Sequence, residues 1–287
     1  SIGTVLFGSA VLAGALCKTG VTAEEGTLWL TIPIILVTGV IFGLINGFLV
    51  AKCKIAPFIA TLGSMLFSRG LTAVIAEAIR GTSSAIKYPS TGWFQKIFTN
   101  LNGFPIGIVW VLVLTIICMI VMYKTKVGRY ILAIGSNEEA TRLSGINTDF
   151  YKTLAYVFSG MGAGIAAIFW SASFTTVAAA TGNGMELDAI AGVYIGGTSA
   201  AGGIASIAGS VIGSIMLVVI RSGLNFVLAR FNLNLNSTYV TYVLTGIIVV
   251  VAILLDIIKT NNQNKVKIDK IDEGKKEKEP AQEAPQV

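Results

Sequence analysis

The chain has 287 residues, 54% of them hydrophobic and only 13% charged, with a formal net charge of +6. A mean hydropathy of +0.76 excludes an ordinary soluble domain, and recurring apolar runs long enough to cross a bilayer indicate transmembrane helices. Histidine, the commonest metal ligand and a frequent general base, is absent from the sequence. The composition therefore predicts an all-α integral membrane protein and disfavours an enzyme, a metal site or a nucleic-acid-binding protein.

Eight apolar segments predict a polytopic helical bundle within residues 1–258. They cover residues 2–17, 28–51, 55–79, 106–123, 153–173, 186–200, 203–228 and 237–258. The first has about 16 residues, which make ~24 Å of helix and fall short of a bilayer core ~30 Å thick. Because no methionine precedes it, we expect a fragment that begins inside a helix and lacks N-terminal spans; a cleaved signal peptide is the alternative.

Small residues at four-residue spacing predict close packing of these helices, because close backbone approach supplies the contact that holds helices together in lipid. The spacing occurs at Gly39, Gly43 and Gly47, at Gly160 and Gly164, and at Gly209 and Gly213. Asn46 lies within the first of these faces. It is a candidate to hydrogen-bond either a polar solute or a neighbouring helix.

The third segment carries a polar stripe with Arg69 beside it. At 100° per residue, four hydroxyl-bearing residues fall on one face of the helix. They are Thr61, Ser64, Ser68 and Thr72. One interpretation is a polar wall that faces a solute path. The other is that the hydroxyls bond to carbonyls of their own helix while Arg69 reaches for lipid headgroups.

The positions of the basic residues predict the orientation in the membrane. Lys and Arg accumulate on the cytoplasmic side of membrane proteins, and most of the 21 in this chain face that side if the C-terminal tail is inside. The region 124–152, between the fourth and fifth segments, is then cytoplasmic. We call this side of the molecule the inner side.

The inner region contains a predicted short helix from Ser136 to Gly145. Ser136 and Glu139 have the spacing of a capping box, and Gly145 is suited to end the helix. The helix either docks onto a soluble partner or is a solvated connector. Its few apolar side chains are Ala140, Leu143 and Ile146.

The segment 186–200 is short and glycine-rich for a membrane crossing. It is either a broken helix, whose irregular backbone must be covered by protein or by a watery cavity, or an ordinary short helix. Glu186 and Asp188 lie at its start. Asn225, in the following segment, is a further candidate for hydrogen bonds.

The remaining sequence narrows the chemistry. Residues 259–287 mix Lys with Asp and Glu and contain no aromatic residue, which predicts a disordered cytoplasmic tail. No GxxxxGK[ST] phosphate-binding loop is present, so the chain cannot bind ATP by that route. Carboxylates lie near the segment ends, which disfavours an ion-coupled secondary transporter. The three cysteines have neither metal-binding nor disulfide spacing.

Three stretches resemble the permease subunits of ribose-type ABC sugar importers, a family shared with branched-chain amino-acid permeases. They are NGFLVAKCKIAPFIATLGSM (46–65), GRYILAIGSNEEATRLSGIN (128–147) and ELDAIAGVYIGGTSAAGGIASIAGSVIG (186–213). The resemblance runs from Ser1 to about Lys259. It implies a multi-pass protein of the bacterial inner membrane that contacts membrane lipid and binds no cofactor.

The resemblance also implies function and partners. Two permease copies would form the path for a monosaccharide, ribose first and then galactose or xylose, with nucleosides as an alternative. A cytoplasmic ABC ATPase would drive transport, and an extracytoplasmic binding protein would deliver the sugar. The family's ATPase-coupling loop falls on Asn137, Glu138, Glu139, Ala140, Arg142, Leu143 and Gly145. No substrate-contact motif carries over, so the pathway candidates are Asn46, Thr61, Ser64, Ser68, Arg69, Thr72, Glu186, Asp188 and Asn225.

Overall fold

The computed structural model of the chain describes residues 1–17, 25–81, 85–90, 92–100, 103–178, 181–199 and 202–230, with isolated positions between 240 and 258. In these residues the fold consists of α-helices and a short β-ribbon, which confirms the predicted all-α polytopic class. In chain order the elements are α1 (Ile2–Leu16), α2 (Glu25–Leu28), α3 (Thr31–Ala51), α4 (Pro57–Arg80), β1 (Ile86–Lys87), α5 (Trp93–Phe98), α6 (Gly107–Met119, continued by a π-helical turn, Ile120–Lys124), α7 (Lys126–Ser136), α8 (Glu138–Leu143), α9 (Thr148–Phe174), β2 (Thr176–Val177), α10 (Met185–Ile195) and α11 (Ile207–Arg230).

Five helices in the described part of the chain have the length and composition to cross a membrane. They are Thr31–Ala51, Pro57–Arg80, Gly107–Lys124, Thr148–Phe174 and Ile207–Leu224. The predicted segments 2–17 and 186–200 correspond to the shorter helices α1 and α10. The eighth segment, 237–258, lies mostly outside the described residues, as does the predicted tail 259–287.

The chain forms two compact units, Ser1–Ala189 and Ile190–Val287. In the first unit, α3 and α9 lie side by side, α1 packs against both, and α4 packs mainly against α1. The apolar core among these helices includes Phe7, Ile35 and Ala167.

Glycines bring the backbones of α3 and α9 into direct contact. A Cβ atom built on Gly43 would lie 2.6 Å from the carbonyl oxygen of Tyr156 and 2.9 Å from the Cα atom of Val157. One built on Gly47 would lie 2.8 Å from the Cα atom of Thr153. No larger residue fits at these positions without moving one of the helices. The close packing predicted from glycine spacing is therefore present between these two helices.

A small cap closes the outer end of the first unit. Residues Ile86 and Lys87 of β1 pair antiparallel with β2, and the hydroxyl of Tyr88 donates to the carbonyl of Ala10 in α1 at 2.6 Å. Burial raises the pKa of the Tyr88 phenol well above its ordinary value, so this hydroxyl keeps its proton and remains a donor. Phe94 of α5 stacks on the Tyr88 ring. The cap thus ties the loop after α4 to both α1 and α9.

In the second unit, the end of α10 packs against α11 through small residues. A Cβ atom built on Gly192 would meet the Ser214 side chain at 2.5 Å, and one built on Gly196 would meet the backbone of Gly209 at a still shorter distance. The predicted segment 186–200 is helical only to Ile195, and the described residues that connect α10 to α11 are not helical. The segment is thus a short helix packed on α11 and followed by a non-helical stretch, a geometry that both interpretations allow.

Replacing Gly43 with alanine should destabilise the first unit by ~1–3 kcal/mol, because the added methyl group must push α3 away from α9. The matched control is Gly162→Ala on α9, where a Cβ atom meets nothing within 4 Å and helix propensity favours alanine by up to ~1 kcal/mol. Thermal unfolding in detergent measures both variants. Equal midpoints for the two would contradict the close contact.

Candidate functional site

The predicted coupling helix is α8, and its N-cap residue is Asn137 and not the predicted Ser136. The side-chain oxygen of Asn137 accepts a hydrogen bond from the backbone N–H of Ala140 at 2.9 Å. Ser136 is the last residue of α7, so the predicted capping box between Ser136 and Glu139 is wrong. Asn137 has extended backbone angles, which are the angles that an N-cap residue requires, whereas Ser136 is still helical.

The predicted end of α8 is confirmed. Gly145 has a φ of +81°, a left-handed conformation that favours glycine. Its N–H donates to the carbonyl of Arg142 at 3.0 Å, and the N–H of Ile146 donates to the carbonyl of Thr141 at 3.4 Å. This pair of bonds is the Schellman motif, which satisfies carbonyls at a helix end. The helix is therefore capped at both ends.

The outward face of α8 is available to a partner. Leu143 is 80% exposed, and Ala140 is exposed as well, whereas Thr141 is buried beneath them. Arg142 donates to both carboxylate oxygens of Glu139, at 2.7 and 2.8 Å. This carboxylate raises the pKa of the Arg142 guanidinium above its ordinary value, so the guanidinium stays charged. The face combines one large apolar side chain with a fixed pair of charges.

Two ion pairs attach α8 and the loop after α3 to α9. Lys152 of α9 donates to the carboxylate of Glu138 in α8. Lys54, in the loop after α3, donates to the carboxylate of Asp149 near the start of α9, at 2.7 Å. Partly exposed pairs contribute only ~0–1 kcal/mol each to stability, so their main effect is to fix positions. We call these two ion pairs the inner clasp.

The outer half of the polar stripe of α4 lies against α1. Ser68 and Thr72 are each 1% exposed, and a Cβ atom built on Gly8 of α1 would lie 3.0 Å from the methyl carbon of Thr72. The hydroxyl of Thr72 donates to the carbonyl of Ser68 at 2.7 Å. The hydroxyl of Ser68 donates to the carbonyl of Met65 at 3.1 Å. This back-bonding is one of the two arrangements expected from the sequence.

The inner half of the stripe makes a bond between helices. Ser64 donates to the side-chain oxygen of Asn46 at 2.5 Å, and Asn46 is 4% exposed on α3. Thr61 is partly buried and donates to the carbonyl of Pro57 at 2.9 Å in its own helix. Of the predicted residues in this part of the structure, Asn46 and Ser64 are thus brought together.

Arg69 is brought to a residue that sequence reasoning missed. Its guanidinium donates to the side-chain oxygen of Asn183 and lies 5.6 Å from the ring centroid of Phe7. Asn183 belongs to a turn between two glycines of positive φ, Gly182 and Gly184. The pair Asn183–Gly184 is a sequence signal for a turn, but it does not indicate that Arg69 lies beside it.

Glu186, at the start of α10, lies close to the same turn. A Cβ atom built on Gly3 would be 2.6 Å from its Oε2 atom and still closer to the backbone of Gly182. The Oε2 atom is buried and has no hydrogen-bond partner among the described residues, which leaves it an open acceptor. Asp188 lies two residues further along α10. The side chain of Asn225 lies outside the described part of the structure.

Metal and disulfide chemistry find no support in the described residues. No group of three or more Cys, Asp or Glu side chains there could hold a metal ion. The thiols of Cys17, Cys53 and Cys118 are free. The features that stand out are a capped helix outside the bundle and polar side chains within it, which fit the class of membrane transport proteins.

The sequence model of the family "Branched-chain amino acid transport system / permease component" matches residues 1–253. The chain belongs to this family, whose members are transport subunits of membranes and not enzymes. It is 34% identical over 261 residues to the ribose import permease protein RbsC of Escherichia coli strain K12. The aligned region covers 89% of this chain and 76% of the relative. These findings confirm the resemblance and a multi-pass membrane protein.

Other relatives differ in the sugar that their names give. The chain is 37% identical over 224 residues to the fructose import permease protein FruF of Bifidobacterium longum, covering 77% of this chain and 61% of the relative. It is 28% identical over 234 residues to the galactose/methyl galactoside import permease protein MglC of Haemophilus influenzae, covering 79% and 68%. No solved structure matches the chain.

Asn137→Ala should loosen α8, because a lost N-cap costs ~1 kcal/mol and the Ala140 amide loses its acceptor. Hydrogen exchange at that amide should become about fivefold faster. Ser136→Ala is the matched control and should leave the exchange rate unchanged. Faster exchange of the Glu139 amide in the serine variant would instead support the capping box, in which that amide donates to Ser136.

Proposed function

We propose that the chain is the permease subunit of an ATP-driven importer of a monosaccharide, with ribose as the first candidate. The match to the ribose import permease over 89% of the chain carries this proposal. The fructose and galactose permeases among the relatives support a monosaccharide in general. Ribose is the first candidate because the match to the ribose import permease covers more of the chain than the matches to the fructose and galactose permeases.

The proposed assembly needs partners. The chain has no phosphate-binding loop, so the energy must come from a separate ABC ATPase on the inner side. A second permease copy would complete the path, and an extracytoplasmic binding protein would deliver the sugar. The family and the import permeases among the relatives support the ATPase and the binding protein.

We assign the contact with the ATPase to α8. A helix of six residues is too short to be stable alone in water, yet this one is capped by Asn137 and Gly145. Its exposed Leu143 can enter an apolar pocket of the partner, while Glu139 and Arg142 offer charges of both signs. An isolated exposed leucine on a capped helix suits docking better than a solvated connector.

The inner clasp couples a movement of α8 to the membrane-crossing helix α9. A push on α8 reaches α9 through Glu138 and Lys152, and α9 cannot slide freely past α3 because their backbones touch at Gly43 and Gly47. The pair of helices would therefore move together when the ATPase dimer closes. In this mechanism, ATP-driven closure alternately opens the path to the two sides of the membrane.

Reversing one charge of the clasp should reduce sugar import without releasing the ATPase. Glu138→Lys, or Lys152→Glu, should reduce the sugar transported per ATP hydrolysed by up to about fivefold, since a partly exposed ion pair contributes up to ~1 kcal/mol. The double variant Glu138→Lys with Lys152→Glu restores the ion pair with its charges exchanged. It should transport as much sugar per ATP as the unaltered chain. Lys96→Glu, on the outer helix α5, is the control for a single reversed charge.

The outcome of the double variant separates two roles of Glu138. If it transports no better than either single variant while the ATPase still co-purifies, the ion pair does not transmit the motion. Glu138 would then act by touching the ATPase directly.

The translocation path is assigned to the cluster of Arg69, Asn183 and Glu186. A sugar presents hydroxyl groups that both donate and accept hydrogen bonds. Arg69 donates, the amide of Asn183 does both, and the open Oε2 atom of Glu186 accepts. The remaining candidates, Asn46, Thr61, Ser64, Ser68, Thr72, Asp188 and Asn225, are proposed as walls of the path that other states of the transporter expose.

Proteoliposomes that contain the chain, its ATPase and its binding protein test both the function and this path. We expect ribose uptake that needs ATP and is insensitive to ionophores. Arg69→Met or Asn183→Leu should reduce it roughly tenfold, as loss of a charge-assisted hydrogen bond costs ~1.5–3 kcal/mol. Thr115→Val, whose hydroxyl only bonds to its own helix, is the control. Uptake driven by an ion gradient without ATP would refute the importer assignment.

A further inference from the structure

A cavity of about 410 Å³ lies between the inner ends of α3 and α9, beside the inner clasp. Leu44 and Phe48 of α3 and Phe150 of α9 form its apolar wall. Lys52 and Asp149 form a charged rim at one end. All three apolar side chains are exposed in the structure, so the cavity is open to the surroundings of the bundle.

The depth of the cavity excludes a soluble occupant. Leu44 precedes Lys52 by eight residues on a continuous helix, so the cavity extends ~12 Å along the axis from its charged rim. The helix α3 has membrane-crossing length and composition up to Ala51. Leu44 and Phe48 therefore lie at hydrocarbon depth, and Lys52 lies at the level of the headgroups. Only a molecule that is itself embedded in the membrane can fill both parts.

The rim carries one positive charge without an ion-pair partner. Asp149 is paired with Lys54, and Glu138 is paired with Lys152. Lys52 is exposed and makes no ion pair within the described residues. The charges of the clasp thus compensate one another and leave the ammonium group of Lys52 to attract an anion at the membrane surface.

We propose that this cavity binds one anionic phospholipid, with an acyl chain against Leu44, Phe48 and Phe150 and the phosphate on Lys52. Basic pockets between transmembrane helices on the cytoplasmic side commonly hold anionic headgroups. The lipid would occupy the groove beside the α3–α9 contact and next to Asp149 of the clasp. The proposal depends on the cavity and its charges and does not require that the transported solute is a sugar.

Native mass spectrometry of the purified full chain, titrated with phosphatidylglycerol and with phosphatidylcholine, tests this site. The unaltered chain should retain one phosphatidylglycerol molecule in preference to phosphatidylcholine. Lys52→Gln should weaken phosphatidylglycerol binding about fivefold, which corresponds to ~1 kcal/mol for one cation near a membrane surface, and leave phosphatidylcholine binding unchanged. Leu44→Trp, which fills the apolar part, should weaken binding of both lipids.

The control is Lys87→Gln, which removes an exposed cation from the outer ribbon and should leave both affinities unchanged. Equal phosphatidylglycerol binding by Lys52→Gln and the unaltered chain would overturn the proposal. Crosslinking of the Phe48→Cys variant through its new thiol to a second copy of the chain would also overturn it, because a helix would then fill the cavity. If Leu44→Trp does not elute as a folded protein, the comparison of the two lysine variants decides.

Discussion

The backbone contact between α3 and α9 is the constraint on which the first unit depends. Helices in lipid gain little from hydrophobic burial against each other, because the acyl chains are as apolar as leucine. The attraction must come from atoms in van der Waals contact, and it is greatest where side chains do not separate the backbones. Gly43 and Gly47 provide this on α3, opposite Tyr156 and Thr153. The features at both ends of α9 take their positions from this contact.

At the inner end, α9 holds a helix that could not persist by itself. Six residues form barely more than one turn and do not recover the cost of helix nucleation. The side chain of Asn137 and the left-handed Gly145 satisfy its terminal backbone groups, and Lys152 holds it against the bundle. In the proposed importer, this arrangement keeps a small exposed element rigid enough to receive force from a partner.

Within the bundle, the hydroxyl groups and the charged groups follow different rules. Ser68 and Thr72 bond to carbonyls of their own helix, which removes the penalty of burying a hydroxyl and lets α1 pack on that face. Arg69 instead bonds to Asn183, from a distant part of the chain, and Glu186 lies beside the turn that carries Asn183.

The sequence by itself determined the helical class, the positions of the long spans, the close packing at the glycines and the stop of α8 at Gly145. These follow from composition and from local conformational rules, which act over a few residues. The tertiary structure decided that Asn137 and not Ser136 caps α8, because that choice depends on where α7 ends. It also decided which face of α4 meets α1, and it brought Asn183 to Arg69 from 114 positions away. Periodicity within one helix contains no information about a partner so distant, since only the packing of all the helices together brings the two side chains into contact.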